Sequence, residues 1–146
     1  MKCFGFTLIA LLAVSAALSA EDEQGFIRTT PDEIEWVPSE TPGLDFAYIV
    51  GHPNEAGFYI VRARFSPGVT SSPHYHATDR HVTVISGVWH TGTDASYDLD
   101  KTVALGPGSY MLHPAGAVHY DGAKRQTAIV EIKGIGPAPT VRVEQE

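Results

Sequence analysis

After residue 43 the chain consists mostly of short apolar or alternating runs separated by turn residues. The clearest run is FYIVRARF at residues 58–65, where alternation puts Tyr59, Val61, Ala63 and Phe65 on one face of a strand. Further runs follow at 44–50, 81–86, 88–91, 102–105, 109–112, 117–120, 126–133 and 140–144. No window has a sustained helical period. About eight to ten short strands at this spacing predict an all-β sandwich or barrel.

Composition agrees with a turn-rich β-protein of one domain. The chain has 146 residues with 14 Gly and 10 Pro, and its 43% hydrophobic content allows a real core. We therefore expect a single domain over residues 21–146, with its core from about 26 to 144. The formal charge of −7 argues against a nucleic-acid partner, which would require a basic surface.

The first twenty residues are typical of a secretory signal peptide. Lys2 begins it, an apolar stretch runs over residues 4–14, and small residues follow up to Ala20. Cleavage after Ser19 or Ala20 would give a secreted or periplasmic protein with no membrane association. The alternative is an uncleaved anchor, but the apolar part is shorter than the roughly 20 residues that a span needs. The single cysteine, Cys3, lies in this segment, so the mature chain would have no disulfide.

Histidines are the main candidates for catalytic or metal-binding residues in this chain. There is no GxSxG, P-loop, CxxC or HExxH motif, and the seven histidines are at positions 52, 74, 76, 81, 90, 113 and 119. On an extended strand His74 and His76 lie on the same face, with Cα atoms about 6.5–7 Å apart. Two imidazoles so placed can bind one ion. The alternative is a pair of exposed histidines on a strand edge.

Two separated motifs favour a metal site over a pair of exposed histidines. Gly68 is followed after five residues by His74 and then His76, and Gly108 is followed after five residues by Pro114, Gly116 and, two residues later, His119. This resembles the two-motif signature of the cupin superfamily, over residues 43–137. The resemblance implies a small antiparallel β-barrel, or jelly roll, that holds one divalent metal. It implies His74, His76 and His119 as ligands, and a possible homodimer formed through sheet edges.

The sequence departs from the cupin pattern where the family has a glutamate. Counting three residues after His76 gives Arg80, which also has the expected six residues before Gly87, and counting four gives His81. A guanidinium has no lone pair for a metal, whereas imidazole has one. Either a bulge shifts the strand by one residue and makes His81 the fourth ligand, or the site has only three histidines, and we predict the first. Asp79 is a weaker candidate.

The expected function follows from this site. Imidazole ligands suit Zn, Fe, Ni or Cu, whereas Mn, the remaining candidate, prefers more oxygen. The main hypothesis is an exported metal-dependent enzyme of oxygenase, isomerase or lyase type acting on a small molecule, with His90 or Tyr120 as weak candidates for proton transfer. The alternatives are a binding module without turnover and a purely structural metal. An open coordination position would favour catalysis.

Overall fold

The computed structural model describes residues 21–143. The predicted signal peptide, residues 1–20, lies outside the described residues. In the part that is described, no helix is long and apolar enough to cross a membrane. The chain divides into two compact units with the boundary between Ile34 and Glu35. The predicted single domain therefore stays a prediction.

The described part of the first unit is a short segment with local contacts. The Asp22 carboxylate accepts hydrogen bonds from the backbone N–H groups of Gln24 and Phe26, at 3.0 and 2.9 Å. A 3₁₀ turn at Pro31–Glu33 is closed by Glu33, whose carboxylate accepts from the backbone N–H of Thr30 over 2.7 Å. This is a capping box, which satisfies backbone donors at the start of the turn.

The second unit is built from strands, with one 3₁₀ turn at Leu99–Lys101 among its described residues. The eleven strands are β1 (Val37–Pro38), β2 (Leu44–Val50), β3 (Gly57–Phe65), β4 (His74–Tyr75), β5 (Arg80–Ser86), β6 (Trp89–Gly92), β7 (Val103–Leu105), β8 (Tyr110–His113), β9 (Tyr120–Gly122), β10 (Ala128–Gly136) and β11 (Val141–Arg142). All pairings between them are antiparallel. The all-β prediction is confirmed, and the small excess over the expected strand count comes from two-residue strands.

The strands form three sheets. The largest has the order β1-β2-β3-β10-β5-β8, a second has the order β7-β6-β9, and β11 pairs with β4. One hydrophobic core lies between strands of the two larger sheets, because it contains Val61 of β3, Val82 of β5 and Trp89 of β6. The alternation seen in the sequence of β3 matches burial, with Tyr59, Val61, Ala63 and Phe65 all inside. On β5 the same period buries Val82 and Val84, and so directs Arg80 to the inside.

Candidate metal centre

The two sequence motifs are joined by backbone hydrogen bonds that bring His74 and His119 together. The N–H of each of these residues donates to the carbonyl of the other over 2.9 Å. Gly116, at a φ of +74°, adopts the left-handed conformation that glycine favours, and its N–H donates to the His76 carbonyl over 2.8 Å. The turn that ends the second motif is thereby fixed against the first.

The three imidazoles of His74, His76 and His119 are buried and converge on one point. Each has 8% exposure or less, and one ring nitrogen from each lies within 4.8 Å of the others. The ring centroids are 4.4 to 5.6 Å apart. This group could hold a metal ion.

Backbone carbonyls fix the orientation of all three rings. The Nδ1 atoms donate to the carbonyls of Ser72 over 2.7 Å, Ala138 over 3.2 Å and Ala117 over 3.0 Å. A carbonyl only accepts, so each Nδ1 carries the proton and each Nε2 keeps a lone pair. Metal-binding histidines are usually held in this way.

The charge state of these rings also suits a metal. Burial, with smaller repulsion from neighbouring cations, lowers the pKa of His76 and His119 to about 3 each, and burial lowers the pKa of His74 as well. The imidazoles are therefore neutral at pH 7, which is the form that coordinates a metal.

The position of the missing glutamate is occupied by Arg80, and His81 is directed elsewhere. The Arg80 guanidinium reaches His76, with Nη1 in contact with Nε2. His81 is exposed, and its Nδ1 lies 2.9 Å from the Tyr110 hydroxyl. The β5–β10 ladder is regular at both residues, and its irregularity falls at the other end, near Ser86. The bulge that we expected at His81 is absent, so the structure does not bring His81 to the other three histidines. Asp79 is also exposed, and it accepts from the Ala115 backbone N–H over 2.8 Å.

A carboxylate comes instead from Asp121, together with His113. Both side chains are buried, at 6% and 3% exposure, and with His119 they form a second group that could hold an ion. Asp121 Oδ1 lies 3.8 Å from His113 Nε2, and Asp121 Oδ2 lies 4.0 Å from His119 Nε2. Burial raises the pKa of Asp121 to about 7 and lowers that of His113 to about 2.

Unpartnered polar atoms are concentrated at this centre. Five buried atoms there have no hydrogen-bond partner among the described residues: Arg80 Nε, His113 Nδ1, His113 Nε2, His119 Nε2 and Asp121 Oδ1. Such atoms are costly in a folded protein and usually mark a bound ion, water or ligand. The residues present therefore fit a metal ion, with His74, His76 and His119 as ligands and Asp121 as the nearest carboxylate.

The two residues considered for proton transfer lie elsewhere. His90 alternates with the buried Trp89 and Thr91, and its Nδ1 lies 3.1 Å from the Thr102 hydroxyl. Tyr120 is fully buried, donates to the Asp98 carbonyl over 2.8 Å, and lies so close to Gly92 that a side chain there would clash with its ring. Neither residue belongs to the histidine group. The sequence offered a better signal in the pair His119 and Asp121, which repeats the two-residue spacing of His74 and His76.

A cavity of about 150 Å³ opens onto the centre. Its polar lining includes His74, His76, Arg80 and Asp121, and apolar side chains form most of the rest, among them Leu44, Phe46, Val61, Phe65 and Ile132. A largely apolar pocket with a few polar groups at one end is the usual form of a small-molecule site.

Solved structures share this fold. The polyketide cyclase RemF from Streptomyces resistomycificus superposes with a TM-score of 0.69 at 19% identity, covering 83% of this chain and 87% of that chain. A sugar phosphate isomerase of the cupin superfamily from Silicibacter pomeroyi gives 0.62 at 19%, covering 81% and 82%. The DMSP lyase DddQ from Ruegeria pomeroyi gives 0.63 at 14%, covering 77% and 64%. At such identities the shared property is the fold, which is the cupin fold.

The chain can also be assigned to one family within the cupin fold. The family model of the ChrR cupin-like domain matches residues 24–134, and the chain belongs to this family. The predicted resemblance to the cupin superfamily is thereby confirmed. A comparison with curated protein sequences found no match.

Proposed function

We propose that this protein is an exported metal-dependent enzyme that acts on a small organic molecule, of the isomerase, lyase or cyclase type. The observation that carries this proposal is the set of three Nε2 lone pairs of His74, His76 and His119, on rings oriented by backbone carbonyls beside a cavity. Export rests on the sequence of residues 1–20 alone. Solved structures with the same fold include a cyclase, a lyase and an isomerase, which supports this range of reactions.

A divalent ion bound by His74, His76 and His119 would act as a Lewis acid that polarises a carbonyl or carboxylate oxygen of the substrate. The protein contributes the surroundings. The apolar walls exclude water from the reacting group, which strengthens electrostatic interactions inside the cavity. The Asp121 carboxyl is buried, 3.8 Å from His113 Nε2 and 4.0 Å from His119 Nε2, so it is the candidate group to hold a proton beside the centre. It replaces His90 and Tyr120 as the candidate for that role.

The proposal requires a coordination position that is open to exogenous molecules. In protein loaded with Co²⁺, the visible absorption bands of the metal are expected to change when azide is added, because three histidines leave room for a further ligand. The His81→Ala variant should give the same spectra and the same response, since His81 is exposed and outside the group. A cobalt spectrum that saturating azide leaves unchanged would indicate a closed site and favour a structural metal.

A further inference from the structure

We propose that Arg80 anchors an anion-binding subsite whose ligand is a small organic carboxylate with a short apolar body. The carboxylate would bind to the guanidinium, and the apolar body would fill the cavity beside the histidine group. The proposed ligand is also a substrate class for the proposed enzyme. The subsite depends on the proposed function in one respect, which is the metal that would lie next to the carboxylate.

The first observation is that Arg80 has no carboxylate within ion-pair distance among the described residues, and Asp121 interacts with it only from further away. Four other arginines each have a carboxylate within 3.0 Å: Arg28 with Asp22, Arg62 with Glu131, Arg64 with Asp45 and Arg142 with Glu40. The Arg80 Nε atom is buried and has no hydrogen-bond partner. A buried guanidinium without an anion is unfavourable, so a ligand that supplies one would bind with a corresponding gain.

The second observation is the orientation of the guanidinium. Its Nη1 atom is in contact with His76 Nε2, the atom that a metal would take, so metal binding would replace this contact. The edge that carries Nε and Nη2 has no hydrogen bond to His76 and is left for a ligand in either state. Two parallel N–H groups on one edge match the two oxygens of a carboxylate. Arg80 belongs to the cavity lining, so a molecule in the cavity can reach it.

The cavity indicates the rest of the ligand. Its volume of about 150 Å³ is enough for a small organic molecule and suits a carboxylate with a short carbon chain. Much of the rest of the lining is apolar, with Val61, Ala63, Phe65 and Ile132 among it. A second cavity of about 530 Å³ shares Leu44, Phe46, Ser71, His74 and Thr140 with the first, so a longer chain has space to extend. A phosphate dianion would need more cationic donors than the single arginine of the lining provides.

Calorimetric titration with pentanoate, pentanamide and inorganic phosphate tests the proposal in the metal-loaded protein. Pentanamide has the same shape as pentanoate without its charge. We expect pentanoate to bind at least tenfold more tightly than pentanamide, and phosphate to bind more weakly than pentanoate. Equal affinities for pentanoate and pentanamide would overturn the proposal, and this comparison needs no variant. Tighter binding of phosphate would overturn the carboxylate class.

Two variants assign the effect to Arg80. Arg80→Met should lower the affinity for pentanoate at least tenfold and leave that for pentanamide unchanged. Arg125→Met removes the same charge from an exposed position and should change neither. An unchanged affinity for pentanoate in Arg80→Met would contradict the assignment. Metal content serves as the folding check, because Arg80→Met removes a cation from beside His76 and should bind the metal at least as tightly as wild type.

A third variant separates this proposal from the proposed function. His74→Ala should lose the metal and still prefer pentanoate to pentanamide, because Arg80 is intact. Loss of this preference in His74→Ala would show that the metal, and not Arg80, binds the carboxylate of pentanoate, and would overturn the role of Arg80. If the wild-type metal has an open coordination position but the protein does not prefer pentanoate to pentanamide, the carboxylate subsite is contradicted. The proposed enzymatic function is not affected by that result.

Discussion

Replacing His119 with alanine is expected to abolish stoichiometric metal binding. His119 is the residue shared by the two groups that could hold an ion, so its loss leaves neither group complete. Its Nδ1 is fixed by the Ala117 carbonyl, and its Nε2 is buried without a partner. Changes that only disturb the support of a ligand cost about 10- to 100-fold in metal affinity, and loss of the ligand itself should cost more than 100-fold.

Competition with a chromophoric chelator measures this loss directly. His81→Ala is the matched control, because it removes the same side chain from an exposed position on β5 that does not contact the group. We expect His81→Ala to retain the wild-type affinity. Retention of metal by His119→Ala together with its loss from His81→Ala would contradict the structure and restore His81 as a ligand.

The metal-free protein is expected to lose stability steeply in mild acid. The pKa values of His76, His113 and His119 are lowered to between about 2 and about 3, whereas in the unfolded chain they lie near 6.5. As the pH falls below about 6.5, the unfolded chain binds three protons at these residues that the folded chain does not. Asp121 acts in the opposite direction, because its pKa of about 7 in the folded state means that it binds a proton before the unfolded chain does.

The net difference from these four groups is two protons over the range between about pH 6 and about pH 4, and His74, whose pKa is also lowered, adds to it. The free energy of unfolding should therefore fall by about 2.7 kcal/mol per pH unit as the pH is lowered. This is a large part of the 5–15 kcal/mol typical of a domain, so we expect unfolding near pH 5 or below. Urea unfolding of chelator-treated protein at pH 6.5, 5.5 and 4.5 measures the slope.

Asp121→Asn is the matched variant for the pH experiment. The substitution removes the carboxyl group whose protonation offsets that of the histidines. The free energy of unfolding should therefore fall more steeply with decreasing pH, by about 4 kcal/mol per pH unit. A free energy of unfolding that does not change between pH 6.5 and 4.5 would show that these histidines are not buried in the neutral state.

Most strands could be predicted from the sequence because their alternation directly reflects burial. The run at 44–50 coincides with β2, and the run at 58–65 matches β3 with the predicted faces. The spacing of His74, His76 and His119 within two motifs also indicated that these residues would meet, and the structure brings them together. The strands follow from the alternation of apolar and polar residues, and the histidine group follows from a family motif. Both patterns can be recognised in a single sequence.

The fourth position of the site was harder to predict because two arguments disagreed. Ligand chemistry favoured His81, whereas the two-residue period from Val82 and Val84 places Arg80 inside. The structure follows the period, because turning His81 inward would also turn Val82 and Val84 out of the core. His113 and Asp121 lie on the consecutive strands β8 and β9, but these strands pair with β5 and β6 in different sheets, so no local pattern reveals that the two side chains meet.

The most direct test of the account is X-ray absorption spectroscopy of the native metal in the protein isolated from its own compartment. We expect one divalent transition metal per chain, with three imidazole nitrogens at about 2.0–2.1 Å and further oxygen ligands. The His74→Ala/His76→Ala double variant should contain no metal. A first shell without imidazole, or stoichiometric metal in the double variant, would contradict the assignment of His74, His76 and His119 as the metal ligands.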